Sequence, residues 1–209
     1  MITVSKIVTN GLKMEAKMYE LIKRGGDIIF SIIAFVLCIP LLVCISIIIK
    51  ITSKGKVLYK QERMGKNGRK FTLYKFRTMI QNADTLKMLS SLQLEEYKCN
   101  YKIENDPRIT KFGNILRKRN LDELPQLYNI LKGDLSFVGP RPILEDELEK
   151  YGENKSELLK IRPGLTGYWQ VNREKAKNYE ERMQMELFYV QNYNIKLDLQ
   201  ILLKTIKYI

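Results

Sequence analysis

The sequence predicts a mostly helical α/β protein, in which a membrane helix hairpin precedes a compact domain that carries one small β-hairpin. Three observations lead to this prediction. Residues 28–49 contain no charged side chain, Lys66-Asn67-Gly68 is a turn signal between two β-rich runs, and the segments after residue 80 repeat apolar residues at helical spacing. The chain has 209 residues, of which 45% are hydrophobic, so it can bury the core of one domain with an appendage.

The apolar run at 28–49 is long enough, at about 33 Å, to cross a bilayer as a straight helix. Pro40 divides the run into two arms that are each too short to span alone, and a proline inside a helix favours a kink. Basic residues flank both ends of the run, and such residues favour the cytosolic side of a membrane. These features favour a re-entrant hairpin that enters and leaves by one face. A straight spanning helix and a buried soluble helix are the alternatives.

Turn residues and apolar spacing define the remaining elements. The turn signal joins strands at 57–59 and 71–74, and 135–138 is a further strand candidate. Helices are predicted over 80–98, 108–119, 121–131, 143–160 and 176–192. The predicted divisions are an N-terminal segment at 1–22, a re-entrant membrane helix broken at Pro40 at 23–50, and a cytosol-facing domain at 51–209.

The C-terminal segment has an amphipathic pattern. Its apolar residues recur at steps of four and three, and the lysines fall largely off that stripe. The pattern is typical of a helix at the membrane interface, and equally of a helix packed on a core. The stripe consists of Ile195, Leu199, Leu202, Ile206 and Ile209.

Composition limits the chemistry that the chain can perform. Lysine and arginine total 36 against 23 acidic residues, a formal charge of +13, which favours anionic partners such as phosphorylated substrates, nucleic acid or an acidic membrane face. Histidine is absent, so Ser-His-Asp catalysis, Cys-His catalysis and histidine metal sites are excluded. The three cysteines contain no C-x-x-C spacing, which argues against zinc or a disulfide framework and favours a reducing compartment. Chemistry must therefore rest on carboxylates, lysine, arginine, tyrosine or thiols.

Asp122 and Glu123 are the strongest catalytic candidates, with two interpretations. Asn120 and Glu123 fit the N-cap and N3 positions of a capping box. Alternatively, carboxylates at a helix start beside Arg117 could bind Mg²⁺ or attack phosphorus. Arg141 lies between two prolines, so its backbone is stiff. A preorganised arginine of this kind suits diphosphate recognition. Alternatively, Arg141 is an ordinary surface residue in a rigid loop.

Several strings of residues together resemble one family, the small monotopic phosphoglycosyl transferases, which are bacterial sugar transferases that start lipid-linked glycan assembly. The resemblance covers residues 23–209 in order. It rests on Lys23-Arg24 and Asp27 before the proline-broken run, QERMG at 61–65, KFRTM at 75–79, DPRIT at 106–110, LDELPQ at 121–126, GDLSFVGPRP at 133–142, PGLTG at 163–167, Gln170-Val171 and Asp198. Two positions depart from the family pattern, because Glu186 stands where an Asp is common and Asn172 stands where a Gly is common.

The resemblance implies a reaction and a place for it. A nucleotide diphospho-sugar, expected to be a UDP-sugar, would donate its phospho-sugar to polyprenyl (undecaprenyl) phosphate and release a nucleoside monophosphate. Asp122 would attack the phosphorus with help from Glu123, and both would hold Mg²⁺. The enzyme would face the cytoplasm from the inner membrane, bent at Pro40, as the first membrane step of capsule, exopolysaccharide or glycoconjugate synthesis. The cations that would bind the substrates are Lys75, Arg77, Arg117, Arg141 and Arg173.

Two rival functions belong to other classes. One is a non-catalytic, membrane-tethered basic module, and the other is an assembly scaffold with an inactive site. Asp122 and Glu123 among cations argue against a phosphate-binding module, because carboxylates repel phosphate unless a metal or chemistry is involved. We therefore expect a nucleotide sugar, polyprenyl phosphate and membrane lipids as partners, and no nucleic acid. Homo-oligomerisation, the sugar and the nucleotide base stay open.

Overall fold

The computed structural model describes residues 2–81, 83, 89–100, 103 and 106–207, with side chains from residue 17 onward except those at 96 and 98–100. Strands β1 and β2 form an antiparallel hairpin, and β3 pairs with β4 in parallel. The strands are β1 (Leu58–Met64), β2 (Lys70–Phe76), β3 (Ser136–Val138) and β4 (Gly164–Thr166). The helices are α1 (Ile2–Thr52), α2 (Ser91–Asn100), α3 (Lys111–Lys118), α4 (Gln126–Lys132), α5 (Glu145–Glu149), α6 (Lys155–Leu158), α7 (Tyr179–Asn192) and α8 (Ile195–Lys207).

The predicted hairpin and the strand at 135–138 are confirmed. A short 3₁₀ turn at Lys66–Gly68 joins β1 to β2, with Asn67 in the left-handed region at φ 58°. Strand β4 was not predicted. The predicted helix at 143–160 is wrong as one element, because α5 and α6 are separated by a 3₁₀ turn at Gly152–Asn154, where Gly152 takes φ 51°. Part of the helix predicted at 80–98 lies outside the described residues.

Helix α1 runs without interruption in its secondary structure through Pro40 and across the predicted boundary after residue 22. The predicted division of the run into two helical arms is therefore not confirmed, and the re-entrant path stays a prediction. A proline removes a single backbone donor, so a helix can continue past it with local adjustment. By length and composition, α1 could cross a membrane.

One face of α1 packs on the domain and forms part of its core. Ala34 and Phe35 contact a cluster built from β2, α4 and the chain before β3, and Ile45 and Ile49 pack with Phe76. Over the charge-free run, the other faces of α1 are exposed although they are apolar. The exposed apolar residues of its charge-free run and the residues beside it are Ile28, Ile29, Phe30, Ile32, Ile33, Val36, Leu37, Ile39, Leu41, Val43, Ile47, Ile48 and Ile51.

Helix α8 presents most of its predicted apolar stripe outward. Ile195, Leu199 and Ile206 are exposed and Leu202 is half-buried, whereas Ile209 lies outside the described residues. The helix is held to the core by Ile201 and by the buried Asp198 carboxylate. That carboxylate accepts hydrogen bonds from the hydroxyls of Tyr19 at 2.7 Å and Tyr189 at 2.6 Å, and it pairs with Lys23. The carboxylate of Asp198 thus joins α8 to both α1 and α7.

Candidate active site

The start of α3 is fixed against the segment that follows β2. The Thr110 N–H donates to the carbonyl of Thr78 at 2.9 Å, and the Thr110 hydroxyl caps α3 by accepting from the Gly113 N–H. A Cβ atom at Gly113 would lie 2.0 Å from the Thr78 carbonyl oxygen, so this close approach requires glycine. The contact places Arg117, whose Nε donates to the Thr78 hydroxyl at 2.8 Å.

Asp122 and Glu123 lie in a 3₁₀ turn, Leu121–Glu123, between α3 and α4. The predicted capping box is wrong. Asn120 takes the left-handed conformation at φ 53°, and its side chain makes no capping hydrogen bond. An N-cap residue requires extended backbone, whereas Asn120 continues the turn that ends α3 by donating its N–H to the Arg117 carbonyl. Helix α4 begins only at Gln126, after Pro125.

Helix α4 is tied to its neighbours from two sides, and these bonds position the turn that precedes it. The buried Asn129 side chain accepts from the Tyr74 N–H at 3.1 Å and donates to the Thr72 carbonyl at 2.7 Å. At the other end, the Arg24 guanidinium from α1 donates to the carbonyls of Ile130 at 2.6 Å and Leu131 at 2.7 Å. A cation at a helix C-terminus satisfies carbonyls that would otherwise lack partners.

Two cations, Lys75 and Arg117, lie close to the acidic pair. Lys75 Nζ lies 2.6 Å from Glu123 Oε1, whereas the Asp122 carboxyl is almost buried, with 8% of the residue exposed. Burial raises the pKa of Asp122 above the ordinary aspartate range, and the nearby Lys75 and Arg117 act in the opposite direction. The site therefore holds a poorly hydrated carboxylate close to positive charge, the environment in which an enzymatic nucleophile reacts.

Arg141 belongs to a second cluster. The loop that carries it is fixed by the Arg141 N–H, which donates to Glu186 Oε2 at 2.9 Å, and by Gly164 N–H, which donates to the Pro140 carbonyl at 2.8 Å. Arg141 Nη1 also donates to Glu147 Oε2 at 2.9 Å. Within the described part of the chain, no hydrogen bond or ion pair joins Arg141 to the Lys75–Glu123 pair.

The two clusters lie towards opposite ends of the β-hairpin. Lys75 faces Tyr59 in the strand register. Arg63, which pairs with the same Glu147 carboxylate as Arg141, lies four residues further along β1. The spacing along the strand is therefore about 13 Å.

The structure places two predicted substrate ligands elsewhere. Arg77 donates to the carbonyls of Ser53 at 2.8 Å and Lys54 at 2.5 Å, so its guanidinium caps the end of α1. Arg173 is exposed in a 3₁₀ stretch, Gln170–Lys175. Within the part of the chain that the structure describes, no hydrogen bond or ion pair joins either arginine to Asp122 or Glu123.

Sequence reasoning did not identify Glu147 and Arg182, which lie in the cluster around Arg141, or Asn129, which ties α4 to β2. Glu147 is one of three consecutive acids in the first turn of α5, and the sequence alone does not show which of them is buried. Asn129 lacks any motif of its own. These assignments depend on contacts between residues that are distant in sequence.

Two carboxylates fit one mode of Mg²⁺ binding. Among the described residues there is no group of three or more acidic or thiol side chains that could enclose a metal. Mg²⁺ is, however, often held by one or two carboxylates together with substrate phosphates. Asp122 and Glu123 match that requirement, because Glu123 uses Oε1 for Lys75 and keeps a second carboxylate oxygen.

Comparison with known proteins gives a consistent family. The sequence model of the family described as bacterial sugar transferase matches residues 18–209. The chain is 40% identical to the exopolysaccharide production protein ExoY of Sinorhizobium fredii, over 88% of this chain and 83% of that protein. It is 42% identical to the undecaprenyl-phosphate galactose phosphotransferase of Salmonella typhimurium, over 89% of this chain and 40% of that protein. It is 34% identical to the UDP-N-acetylgalactosamine-undecaprenyl-phosphate N-acetylgalactosaminephosphotransferase of Aeromonas hydrophila, over 94% of this chain and 45% of that protein.

Proposed function

Since the chain belongs to the bacterial sugar transferase family, we propose that it transfers a phospho-sugar from a nucleotide diphospho-sugar to polyprenyl phosphate and releases a nucleoside monophosphate. The observation that supports this function best is the nearly buried Asp122 beside Glu123, with Lys75 and Arg117 close by. Relatives named as undecaprenyl-phosphate sugar phosphotransferases favour undecaprenyl phosphate as the acceptor and a UDP-sugar as the donor.

The proposed reaction has two displacements at one phosphorus atom. In the first, an ionised Asp122 oxygen forms a bond to the phosphorus that bears the sugar. The bond from that phosphorus to the bridging oxygen breaks, and the nucleoside monophosphate leaves with the electron pair. In the second, a phosphate oxygen of the polyprenyl phosphate attacks the same phosphorus, so that Asp122 is released as a carboxylate and the lipid carries a diphospho-sugar.

The neighbouring residues bind and orient the substrates. Lys75 and Arg117 offset the charge of the donor phosphates near Asp122, and Glu123 holds Lys75 in place. Arg141 binds the donor at the far end of the hairpin. Arg77, whose guanidinium now caps the end of α1, and the exposed Arg173 remain candidate ligands. Mg²⁺, held by Asp122, Glu123 and the donor diphosphate, would neutralise charge on the phosphates.

The exposed apolar surfaces favour attachment to a membrane from one side. The β1–β2 hairpin runs alongside α1, because Lys66 pairs with Glu20 near one end and Phe76 packs with Ile49 near the other. A helix that crossed straight would carry the exposed Lys60 and Glu62 of β1 into hydrocarbon, where charge is costly. We therefore place α1 in a shallow, re-entrant position at the cytoplasmic membrane, with α8 in the interface and the domain facing the cytoplasm.

Turnover of a nucleotide sugar is the direct test. The purified chain in detergent, with Mg²⁺ and undecaprenyl phosphate, would be given a panel of UDP-sugars. We expect release of UMP and formation of a lipid diphospho-sugar with at least one of them. A folded protein that releases no monophosphate from any nucleotide sugar would instead favour the scaffold function.

The covalent step is tested without the acceptor. Enzyme, donor and Mg²⁺ alone should release up to one equivalent of nucleoside monophosphate, and mass spectrometry should find the phospho-sugar on the peptide that contains Asp122. Initial rates with both substrates varied should give parallel double-reciprocal lines. Intersecting lines without an adduct would mean direct transfer between the substrates, with Asp122 as metal ligand or base.

A further inference from the structure

The buried carboxylate of Glu147 accepts hydrogen bonds from three guanidinium groups beside the loop that carries Arg141. Glu147 is fully buried, and its Oε2 accepts from Arg141 Nη1 at 2.9 Å and from Arg182 Nη2 at 3.3 Å. Its Oε1 accepts from Arg63 Nη1 at 3.3 Å. The hydroxyl of Tyr179 donates to Oε2 at 3.1 Å.

The three arginines differ in their other contacts and in their exposure to solvent. Arg63 also donates to the Pro142 carbonyl and to the Gln61 side chain, and Arg182 lies over the rings of Trp169 and Tyr179. Both are buried. Arg141 is a quarter exposed, and within the described part of the chain its side chain makes one hydrogen bond, to Glu147. Most of the Arg141 donors therefore remain available to a ligand.

We propose that Glu147 is a positioning residue that holds the Arg141 guanidinium in the orientation that binds the donor diphosphate. This inference rests on the proposed function, in which Arg141 is a donor ligand. Arg63 and Arg182 fix the carboxylate from the buried side, and the carboxylate in turn fixes one edge of Arg141. The opposite edge of the planar guanidinium then keeps a pair of parallel donors for phosphate oxygens.

The electrostatics of the cluster agree with this role. Burial acts to raise the pKa of Glu147, but Arg141, Arg182 and Arg63 outweigh it, so that the pKa lies below the ordinary glutamate range and the group stays ionised. Without that charge, three neighbouring cations would repel one another. Arg141 is the exposed member of the three and would be displaced most easily.

A double-mutant cycle tests the inference. Glu147→Gln keeps the size and one acceptor oxygen but removes the charge. We expect donor kcat/KM to fall at least tenfold, mainly through a higher donor KM, with the KM for polyprenyl phosphate nearly unchanged. Arg141→Lys should also lower donor kcat/KM at least tenfold, and Glu147→Gln added to Arg141→Lys should lower it less than twofold further. Glu145→Gln, a substitution of an exposed acid on the same helix, is the matched control. It should leave donor kcat/KM and the KM for polyprenyl phosphate unchanged.

Chemical rescue supplies a second readout that keeps Glu147 intact. In Arg141→Ala, added guanidinium ion should bind the vacated Glu147 oxygen and restore donor turnover at least fivefold, whereas Lys75→Ala should not respond. Rescue therefore tests the positioning role of Glu147 even if the Glu147→Gln variant does not fold. Additive losses in the cycle, or an Arg141→Ala variant that guanidinium does not rescue, would overturn the inference. If the unmodified protein releases no nucleoside monophosphate, the proposed function fails, which is a different result.

Discussion

At the scale of single residues, the placement of Asp122 separates a structural role from a chemical one. A capping role is removed, because α4 begins three residues after Glu123 and the Asn120 side chain caps nothing. What remains is a nearly buried carboxylate beside Lys75 and Arg117. Burying a charge is costly unless it is paired, so such a residue indicates function.

Replacement of Asp122 tests this interpretation. Asp122→Asn preserves size and polarity but removes the attacking charge, so we expect turnover to fall by about a thousandfold or more, with an unchanged thermal midpoint. Glu123→Gln should also lose activity, because the amide cannot pair with Lys75. Nucleoside monophosphate release measures both, and Asp146→Asn, which changes an exposed acid, is the control. Nearly full activity in Asp122→Asn would contradict the proposed chemistry.

Glu186 is a second residue whose burial has a measurable consequence. Burial raises the pKa of Glu186 to about 7, despite the opposing effects of Arg182 and of the Arg141 N–H. Because an unfolded glutamate titrates near pH 4.3, the folded state binds more protons between about pH 4.5 and 7. Stability should therefore fall as the pH rises through this window.

Glu186→Gln should remove this pH dependence. The amide can still accept from the Arg141 N–H, and it carries no charge to bury. We expect the variant to gain stability relative to the parent protein as the pH rises from 4.5 to 8, by on the order of 3 kcal/mol or less. Thermal midpoints in detergent across this pH range measure the difference. Glu180→Gln, an exposed change on the same helix, should track the parent protein, and a Glu186→Gln curve parallel to the parent curve would contradict the prediction.

At the scale of elements, α1 combines a surface apolar enough for a membrane with structural support for the site. Its basic residues contact the domain directly, since Arg24 caps the C-terminus of α4 and Lys23 pairs with Asp198 of α8. The end of α1 is capped in turn by Arg77, two residues after Lys75 in the chain. The position of α1 is therefore linked through these contacts to the position of the acidic pair.

Cysteine labelling tests the path of α1. Ser5→Cys and Lys60→Cys, each in a background lacking Cys38, Cys44 and Cys99, should both resist an impermeant thiol reagent in intact cells. Pro40→Leu restores the missing backbone donor and favours a straight helix. We expect a fraction of Pro40→Leu molecules to span the membrane, so that residue 5 becomes labelled. Labelling of just one of the two positions in the protein that retains Pro40 would establish a spanning helix.

At the scale of the whole molecule, the long apolar helix α1 and the rest of the domain share one core. Ile45 and Ile49 lie in the same cluster as Phe76 and Leu116, next to the turn that carries Asp122. The domain is therefore incomplete without α1. Unfolding in detergent should remove the helix from the domain and disrupt the site together.

A pair of isoleucines on α1 tests this shared core. Ile45 is 3% exposed and Ile47 is 53% exposed, although both belong to the same apolar run. Ile45→Ala should lower the free energy of unfolding in detergent by about 2–5 kcal/mol, because it leaves a cavity. Ile47→Ala should lower it much less, since that side chain faces away from the core. Equal losses in the two variants would mean that detergent contacts, and not the core, stabilise α1.

Local pattern determined much of this protein from the sequence alone. Two β-rich runs around a turn cluster specified the β1–β2 hairpin, and twenty-two residues without charge specified the apolar helix. The absence of histidine excluded histidine-based catalysis, which left carboxylates and cations as candidates. The strings around Asp122 and Arg141 indicated the family that the comparisons confirm. Each of these signals is carried by neighbours in the chain, where periodicity and backbone preferences operate.

Contacts between distant residues were decided by the tertiary structure. The Asn120 side chain does not cap a helix because the end of α3 requires a left-handed residue there, and Arg77 serves the end of α1 because that end lies beside β2. Among three consecutive acids, only packing against Arg63 and Arg182 selects Glu147 for burial. Desolvation and pairing depend on what surrounds a side chain in space, and local sequence does not contain that information.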